Sequence, residues 1–142
     1  MDIETLIPHR DRMKLVDCVL DLNDEKSVTS ALASDLWPLH RDGFIDPLIL
    51  IEVVAQTAAV HISGRRKNGN TVDRRGWMVG IKNADFFCDR IRVDTRLTTT
   101  VKNMYQMENY TVLEGEVMAG TDLLCRVQIQ VMHESDEEAT AG

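Results

Sequence analysis

The alternation of apolar and polar positions predicts a chain built mainly from β-strands. In the segments 111–117 and 126–131, polar and apolar residues alternate, as in an antiparallel sheet with one solvated face. Runs of β-forming residues bounded by turn residues predict further strands. Together these patterns place strands at 13–22, 27–34, 77–87, 96–104, 110–118 and 123–133.

One long helix is predicted between the second and third of these strands. Asp46 is a favourable N-cap, Pro47 suits the first helical position and Gly64 suits a C-terminal cap, so capping signals frame a helix over 47–63. The residues between the caps are apolar on nearly every side. We therefore expect a helix that is buried on most sides and does not lie on a surface.

The order of two strands, one helix and four strands predicts an α+β fold, with 1–133 forming a single domain. A curved antiparallel sheet wrapped around the one long buried helix would cover most of that helix. A dimer would cover the remainder and would pair the sheet edges. The acidic segment 134–142 is expected to be a disordered tail.

The composition argues against several classes of protein. With 44% hydrophobic residues among 142, the chain is too apolar to be disordered. Its 16 Lys and Arg against 23 Asp and Glu give a net charge of -7, which argues against nucleic acid as a partner. The chain contains no stretch of about 18 apolar residues, so no membrane partner is expected.

The cysteines and histidines indicate a reducing compartment and no bound metal. Cys18, Cys88 and Cys125 are widely spaced and odd in number, which fits neither a disulfide framework nor a zinc ribbon. No two histidines or cysteines have the spacing of metal ligands, so neither a metal nor another cofactor is expected. Because the N-terminus is acidic and unlike a signal peptide, a cytoplasmic protein is expected.

Glu52 is the most informative candidate for chemistry. It lies within the apolar helix, where desolvation would raise the pKa of its carboxyl group and suit it to general acid or base catalysis. Gln56 lies four residues later on the same helix face and can hydrogen-bond to it. The alternative is a structural glutamate, satisfied by an amide or by a partner helix at a dimer axis.

Two histidines lie at informative positions relative to Glu52. His40 precedes Glu52 by twelve residues, in the loop that leads to the helix, and a histidine can act as a base near neutral pH. The alternative for His40 is an ordinary surface residue. His61 follows Glu52 by nine residues on roughly the opposite helix face, and we expect it to contact polar groups of loops.

Three sequence blocks, in order along the chain, resemble bacterial 3-hydroxyacyl-acyl-carrier-protein dehydratases of the hotdog fold. IPHR at 7–10 followed by MKLVD at 13–17 is similar to the LPHR…LLVD opening of that family. IEVVAQ at 51–56 resembles the family's helix motif E-x-x-A-Q, and VGIKNADF at 79–86 resembles its third-strand motif L-G-I-x-x-A-x-F. Within the family, the chain resembles the divergent branch from aryl-polyene pigment clusters.

The resemblance implies a dehydratase that removes water from a β-hydroxyacyl thioester in fatty-acid or polyene synthesis. It implies that Glu52 is the catalytic carboxylate and His40 the catalytic histidine, facing each other across the interface of a homodimer or a hotdog heterodimer. His40 would remove the α-proton while Glu52 protonates the departing hydroxyl. The implied partner is an acyl carrier protein, and the implied substrate contacts are Gln56, Leu48 and Gly80.

Two departures from the family pattern leave other functions open. The family places its histidine fourteen residues before the carboxylate, whereas His40 lies twelve before Glu52. The family also has a glycine five residues before the carboxylate, whose N–H polarises the thioester carbonyl. Here Pro47 has no N–H, and Leu48 would have to substitute. The alternatives are an impaired dehydratase, a hotdog thioesterase in which Glu52 activates water or attacks the thioester, and a non-catalytic acyl-binding or heterodimer subunit.

A cluster of cations after the helix is the candidate docking site for an acidic carrier protein. Because a body of net charge -7 would repel such a partner, docking would need a local positive patch. Five positive charges lie just after the buried helix: Arg65, Arg66, Lys67, Arg74 and Arg75. The alternative is a solvated, flexible loop.

Overall fold

The part of the chain that the structure describes contains nine strands and one α-helix. A computed structural model describes residues 3–7, 13–67 and 76–133, except for the side chains of 65–67, 76–79 and 133. A short 3-10 helix at Ile3–Thr5 precedes the other elements. In chain order these are β1 (Cys18–Leu22), β2 (Lys26–Leu32), β3 (His40–Arg41), β4 (Phe44–Ile45), α1 (Ile49–Lys67), β5 (Gly76–Phe86), β6 (Ile91–Arg92), β7 (Arg96–Gln106), β8 (Tyr110–Ala119) and β9 (Asp122–His133).

Six of the strands form one antiparallel sheet in the order β1-β2-β7-β8-β9-β5. Helix α1 contacts β2, β5, β7, β8 and β9 of this sheet. The short strands β3, β4 and β6 pair in a second sheet, which fixes the segment that precedes the helix. The predicted α+β architecture, an antiparallel sheet around one long helix, is therefore confirmed.

The core lies between α1 and the inner face of the six-stranded sheet. Alternate residues of β9 face inwards, since Val127 and Ile129 are buried whereas Gln128 between them is partly exposed. On β8, a Cβ atom at Gly115 would overlap Cγ1 of Val54 on the helix. The alternation predicted from the sequence is confirmed, and Gly115 lets the helix approach the sheet closely.

The helix starts and ends later than predicted. It spans Ile49–Lys67 instead of 47–63. Gly64, predicted as the C-terminal cap, lies inside the helix, where a Cβ atom would overlap Cδ2 of Leu22. The glycine leaves room for the Leu22 side chain of β1 beside the helix and does not mark the end of the helix.

Some strand boundaries also differ from the prediction. The first strand begins at Cys18 instead of residue 13, because residues 13–16 bind the side chain of Gln56 instead of a neighbouring strand. The second ends at Leu32, and the loop predicted to lead to the helix contains β3 and β4. The last four predicted strands match β5, β7, β8 and β9 to within two residues at each end, whereas β6 was not predicted.

No helix among the described residues is long and apolar enough to cross a membrane. The same residues include no group of three or more His, Cys, Asp or Glu side chains that could hold a metal ion. The acidic tail predicted at 134–142 lies outside the described residues. The predicted division into a domain over 1–133 and a disordered tail therefore stays a prediction.

Candidate active site

Glu52 lies in the first turn of α1 and accepts a hydrogen bond from Gln56. The distance from Gln56 Nε2 to Glu52 Oε1 is 3.3 Å. Glu52 is only partly buried, in contrast to the fully desolvated carboxylate that the sequence suggested. The six-stranded sheet of a single chain does not cover one side of this helical turn. Leu48, directly before the helix, is 55% exposed. The carboxylate is therefore accessible to a substrate or to a second subunit.

Gln56 is completely buried, and its amide is fully used within the chain. Its Oε1 accepts the backbone N–H groups of Leu15 at 2.9 Å and Val16 at 3.2 Å. Its Nε2 donates to the carbonyl oxygen of Met13 and to Glu52. Because a glutamine amide has two protons to donate and one oxygen with two lone pairs, a substrate contact at Gln56 would have to displace one of these bonds. The contacts support a positioning role, and the predicted substrate contact stays a prediction.

His40 is held in a tight hairpin between β3 and β4. Its backbone pairs with Ile45, and its ring nitrogen Nε2 accepts the Gly43 N–H at 3.1 Å. Three residues of this hairpin have positive φ angles: Leu39 at 65°, Asp42 at 53° and Gly43 at 83°. A positive φ is unfavourable for a leucine and occurs mainly where surrounding contacts impose it, often at functional sites.

An open cleft of about 390 Å³ adjoins His40. The guanidinium carbon of Arg90 lies 3.9 Å from the centre of the Phe44 ring at this cleft, in a cation–π contact. The lining residues that the structure describes do not include Glu52; they are Leu39, His40, Arg41, Phe44, Ile45, Asp46 and Arg90. Phe44 and Arg90 were not predicted from the sequence, because Arg90 lies fifty residues after His40 and only the fold brings them together.

The backbone N–H groups at the start of α1 are all bonded within the chain. The Leu48 N–H donates to Oδ1 of Asp46 at 2.9 Å, which makes Asp46 the N-cap as predicted. The next three N–H groups donate to carbonyl oxygens three residues earlier, at 2.9 to 3.2 Å. The substrate contact predicted for Leu48 depended on a free N–H, and this structure does not provide one.

Gly80 lies on β5, the strand at one edge of the six-stranded sheet, opposite Gln130 of β9. A Cβ atom at this glycine would have no neighbour within 4 Å, so packing does not require a glycine here. Its predicted substrate contact stays a prediction. The predicted docking cations cannot be placed, because Arg74 and Arg75 and the side chains of residues 65–67 lie outside what the structure describes.

His61 is buried between the helix and the sheet, and its two hydrogen bonds described here are to strands and not to the loops that were predicted. Its Nδ1 lies 2.6 Å from Ser27 Oγ on β2, and its Nε2 lies 3.2 Å from Asn103 Oδ1 on β7. Asn103 Nδ2 donates to the carbonyl oxygen of Asp24, so Oδ1 of Asn103 is turned to accept the Nε2–H of His61. Nδ1 then accepts the Ser27 hydroxyl proton, and these bonds tie α1 to two strands.

Comparison with known proteins agrees with this architecture. A family model described as ApeP-like, ApeP dehydratase, matches residues 1–141. A 3-hydroxyacyl-[acyl-carrier-protein] dehydratase FabZ from Burkholderia thailandensis is 25% identical over 137 residues, which cover 89% of this chain and 86% of the relative.

Solved structures of hotdog proteins superpose on most of the chain. The dehydratase heterocomplex ApeI:P from Xenorhabdus doucetiae matches with a TM-score of 0.81 and 20% identity, over 99% of this chain and 96% of that one. A hypothetical thioesterase with coenzyme A from Streptococcus pneumoniae matches with a TM-score of 0.66 and 13% identity, over 82% and 84%. These likenesses confirm the hotdog fold, and the family model identifies the branch. The chain therefore belongs to the ApeP-like dehydratases, lyases of the hotdog fold.

Proposed function

We propose that the protein removes water from a 3-hydroxyacyl thioester carried by an acyl carrier protein, in fatty-acid or polyene synthesis. The observation that supports this most directly is the pair Glu52 and Gln56, in which a partly exposed carboxylate is oriented by a buried amide. A carboxylate held in this way can exchange a proton with a substrate. The dehydratase FabZ relatives act on 3-hydroxyacyl groups of an acyl carrier protein, as their name states.

The active site in this proposal lies at an interface between two subunits. The cleft that His40 lines does not include Glu52 among its described lining residues. Two large apolar side chains near the Glu52 end of α1 are exposed, Met13 by 53% and Leu48 by 55%, and a second subunit would cover them. Among the described strands, β5 pairs on one side only, with β9, and such an edge favours addition of a second sheet. The partner is a second copy or a related hotdog chain, as in the heterocomplex ApeI:P.

The proposal includes the cellular setting and the docking of the carrier protein. A cytoplasmic location is supported by three free thiols, those of Cys18, Cys88 and Cys125. Docking of an acidic carrier protein is assigned to the cations of 65–75, because the chain as a whole carries a charge of -7. Reversing these charges should weaken carrier affinity, measured by titration calorimetry, and unchanged affinity would remove this part of the proposal.

The dehydratase proposal is tested with 3-hydroxybutyryl-acyl-carrier protein as substrate. The purified protein, alone and with its native partner subunit, should form the enoyl thioester without releasing a free thiol. Glu52→Gln should abolish this activity. Glu116→Gln is the matched control, since Glu116 is partly exposed on β8 and pairs with Arg126 at 3.6 Å. Thiol release without enoyl formation would show a thioesterase instead.

One observation favours a second candidate, a non-catalytic subunit of a heterodimer. The start of α1 offers no free N–H to polarise a thioester carbonyl, since Pro47 has none and the Leu48 N–H is bonded to Asp46. In that case the complex with the native partner would keep its full activity after Glu52→Gln. Loss of that activity would exclude this candidate.

A further inference from the structure

The hydrogen bond of His40 determines which of its nitrogens carries the proton. Nε2 accepts the N–H of Gly43 at 3.1 Å, so Nε2 is unprotonated. A neutral imidazole then carries its proton on Nδ1. The lone pair that a general base would use is directed at the Gly43 N–H. In this conformation His40 is a hydrogen-bond donor through Nδ1–H and is not poised as a base.

The hairpin that imposes this tautomer is fixed from several sides. The carbonyl oxygen of Gly43 accepts the Val93 N–H at 3.0 Å, while the Gly43 N–H bonds to His40. Phe44, the next residue, pairs with Arg92 on β6. Leu39, directly before His40, has a φ angle of 65°. With this backbone fixed, Nε2 leaves the Gly43 N–H only by rotation of the His40 side chain.

The neighbouring N-terminus of α1 offers no hydrogen-bond donor for a substrate oxygen. A dehydration that begins at the α-carbon places negative charge on the thioester oxygen, and that oxygen needs a positioned donor. Pro47 has no N–H, and Asp46 occupies the Leu48 N–H. Among the charged groups that line the cleft, Arg41 and Arg90 are also donors only, whereas the carboxylate of Asp46 already caps the helix.

We propose that His40 is the donor to the thioester oxygen, and that Glu52 is both the base and the acid of the reaction. This inference rests on the proposed dehydratase function. The Glu52 carboxylate takes the α-proton, and the C–H electron pair moves towards the thioester carbonyl. The carbonyl oxygen accepts a hydrogen bond from the Nδ1–H of His40. The carbonyl then re-forms, the Cα–Cβ double bond forms and the Cβ–O bond breaks. The proton on Glu52 passes to the departing oxygen, which leaves as water, and His40 neither gains nor loses a proton.

The tautomer can be measured without any activity. In protein labelled with ¹⁵N-histidine, two-bond proton–nitrogen correlations distinguish Nδ1–H from Nε2–H rings. The His40 signals are assigned by their loss in His40→Asn. We expect the Nδ1–H pattern for His40, and an Nε2–H pattern would overturn the proposal.

The catalytic role is tested with three substitutions at His40 in the complete enzyme. An asparagine amide nitrogen lies as many bonds from Cα as Nδ1, so His40→Asn keeps the donor and removes any base. His40→Gln presents its amide oxygen to the Gly43 N–H in place of Nε2 and has no donor at the position of Nδ1, and His40→Ala removes the side-chain donor altogether. We expect kcat of His40→Asn within about tenfold of the wild type, and losses of about 10²-fold to 10³-fold for the other two.

Equal inactivity of all three folded variants would show that His40 acts as a base and would overturn the proposal. Full activity of all three would overturn it too, since no donor would then be needed at this position. Thermal melting of each variant separates misfolding from loss of chemistry. If the wild-type protein with its native partner forms no enoyl product, the proposed function fails. The assignment of the tautomer is then decided by the NMR measurement alone.

Discussion

Gln56 lies one helical turn after Glu52 and donates to its carboxylate over 3.3 Å, while its other three hydrogen bonds hold residues 13–16 of the same chain. The orientation of the carboxylate therefore depends on a segment that comes forty residues earlier. Both protons of the buried amide are used, one of them on Glu52. The N-terminal segment and the candidate catalytic group thus form one unit.

Gln56→Leu should lower both stability and turnover. The substitution leaves the buried N–H groups of Leu15 and Val16 without an acceptor, and each unsatisfied buried group costs about 1–3 kcal/mol. It also removes the bond that orients Glu52. We expect a lower free energy of unfolding in urea and a lower kcat with little change in KM.

Gln128→Leu is the control for that experiment. Gln128 is a partly exposed residue of β9 whose amide lies 3.5 Å from Glu114 on the sheet surface. Its replacement should change neither the free energy of unfolding nor kcat measurably. If both variants lose equal stability, the buried amide of Gln56 has no special role.

Gly115→Ala should destabilise the fold by overpacking the contact between helix and sheet. The added Cβ atom would overlap Val54 Cγ1, and Val54 is completely buried on a rigid helix. Overpacking of this kind typically costs about 1–3 kcal/mol. Gly80→Ala is the control, because a Cβ atom there meets nothing within 4 Å. Thermal melting of both variants gives the comparison, and equal melting temperatures would contradict it.

Thr99→Val should leave stability unchanged or raise it. Among the described residues, Thr99 carries a buried hydroxyl with no hydrogen-bond partner. Its neighbour across the strand pair, Thr29, is also buried but bonds to the Thr57 hydroxyl at 2.8 Å. Because an unsatisfied buried hydroxyl is unfavourable and a satisfied one stabilises, Thr29→Val should lower the free energy of unfolding by about 1 kcal/mol. Urea unfolding should show a loss of stability for Thr29→Val and none for Thr99→Val, and equal losses would contradict this reasoning.

The sequence allowed the fold and part of the site to be predicted, where local patterns were sufficient. The alternation of polar and apolar residues predicted strands in the second half of the chain. The four-residue spacing predicted the hydrogen bond between Gln56 and Glu52. Gly64 was misread because a glycine is favoured both at a helix end and at a close packing contact. Only the position of Leu22 on a distant strand decides between the two.

The side-chain contacts of His40 and His61 likewise could not be predicted from local sequence patterns. Helix periodicity placed His61 away from Glu52, but its burial depends on Ser27 and Asn103, which come from two strands distant in sequence. The tautomer of His40 depends on a backbone N–H three residues later, and residue type alone does not specify the hairpin that presents it. Such side-chain bonds are properties of the tertiary structure.

Cys125 should make the fold less stable at alkaline pH. Burial raises the pKa of its thiol to about 12. The unfolded chain, with an ordinary thiol pKa near 8.5, releases this proton first, so the stabilising contribution is complete below about pH 8.5 and is lost as pH rises towards 12. The free energy of unfolding, measured in urea from pH 7 to pH 10, should fall more steeply for the wild type than for Cys125→Ala. Cys18→Ala, at an exposed position, is the control and should keep the wild-type slope. Identical slopes for wild type and Cys125→Ala would show that this thiol titrates alike in the folded and unfolded chain.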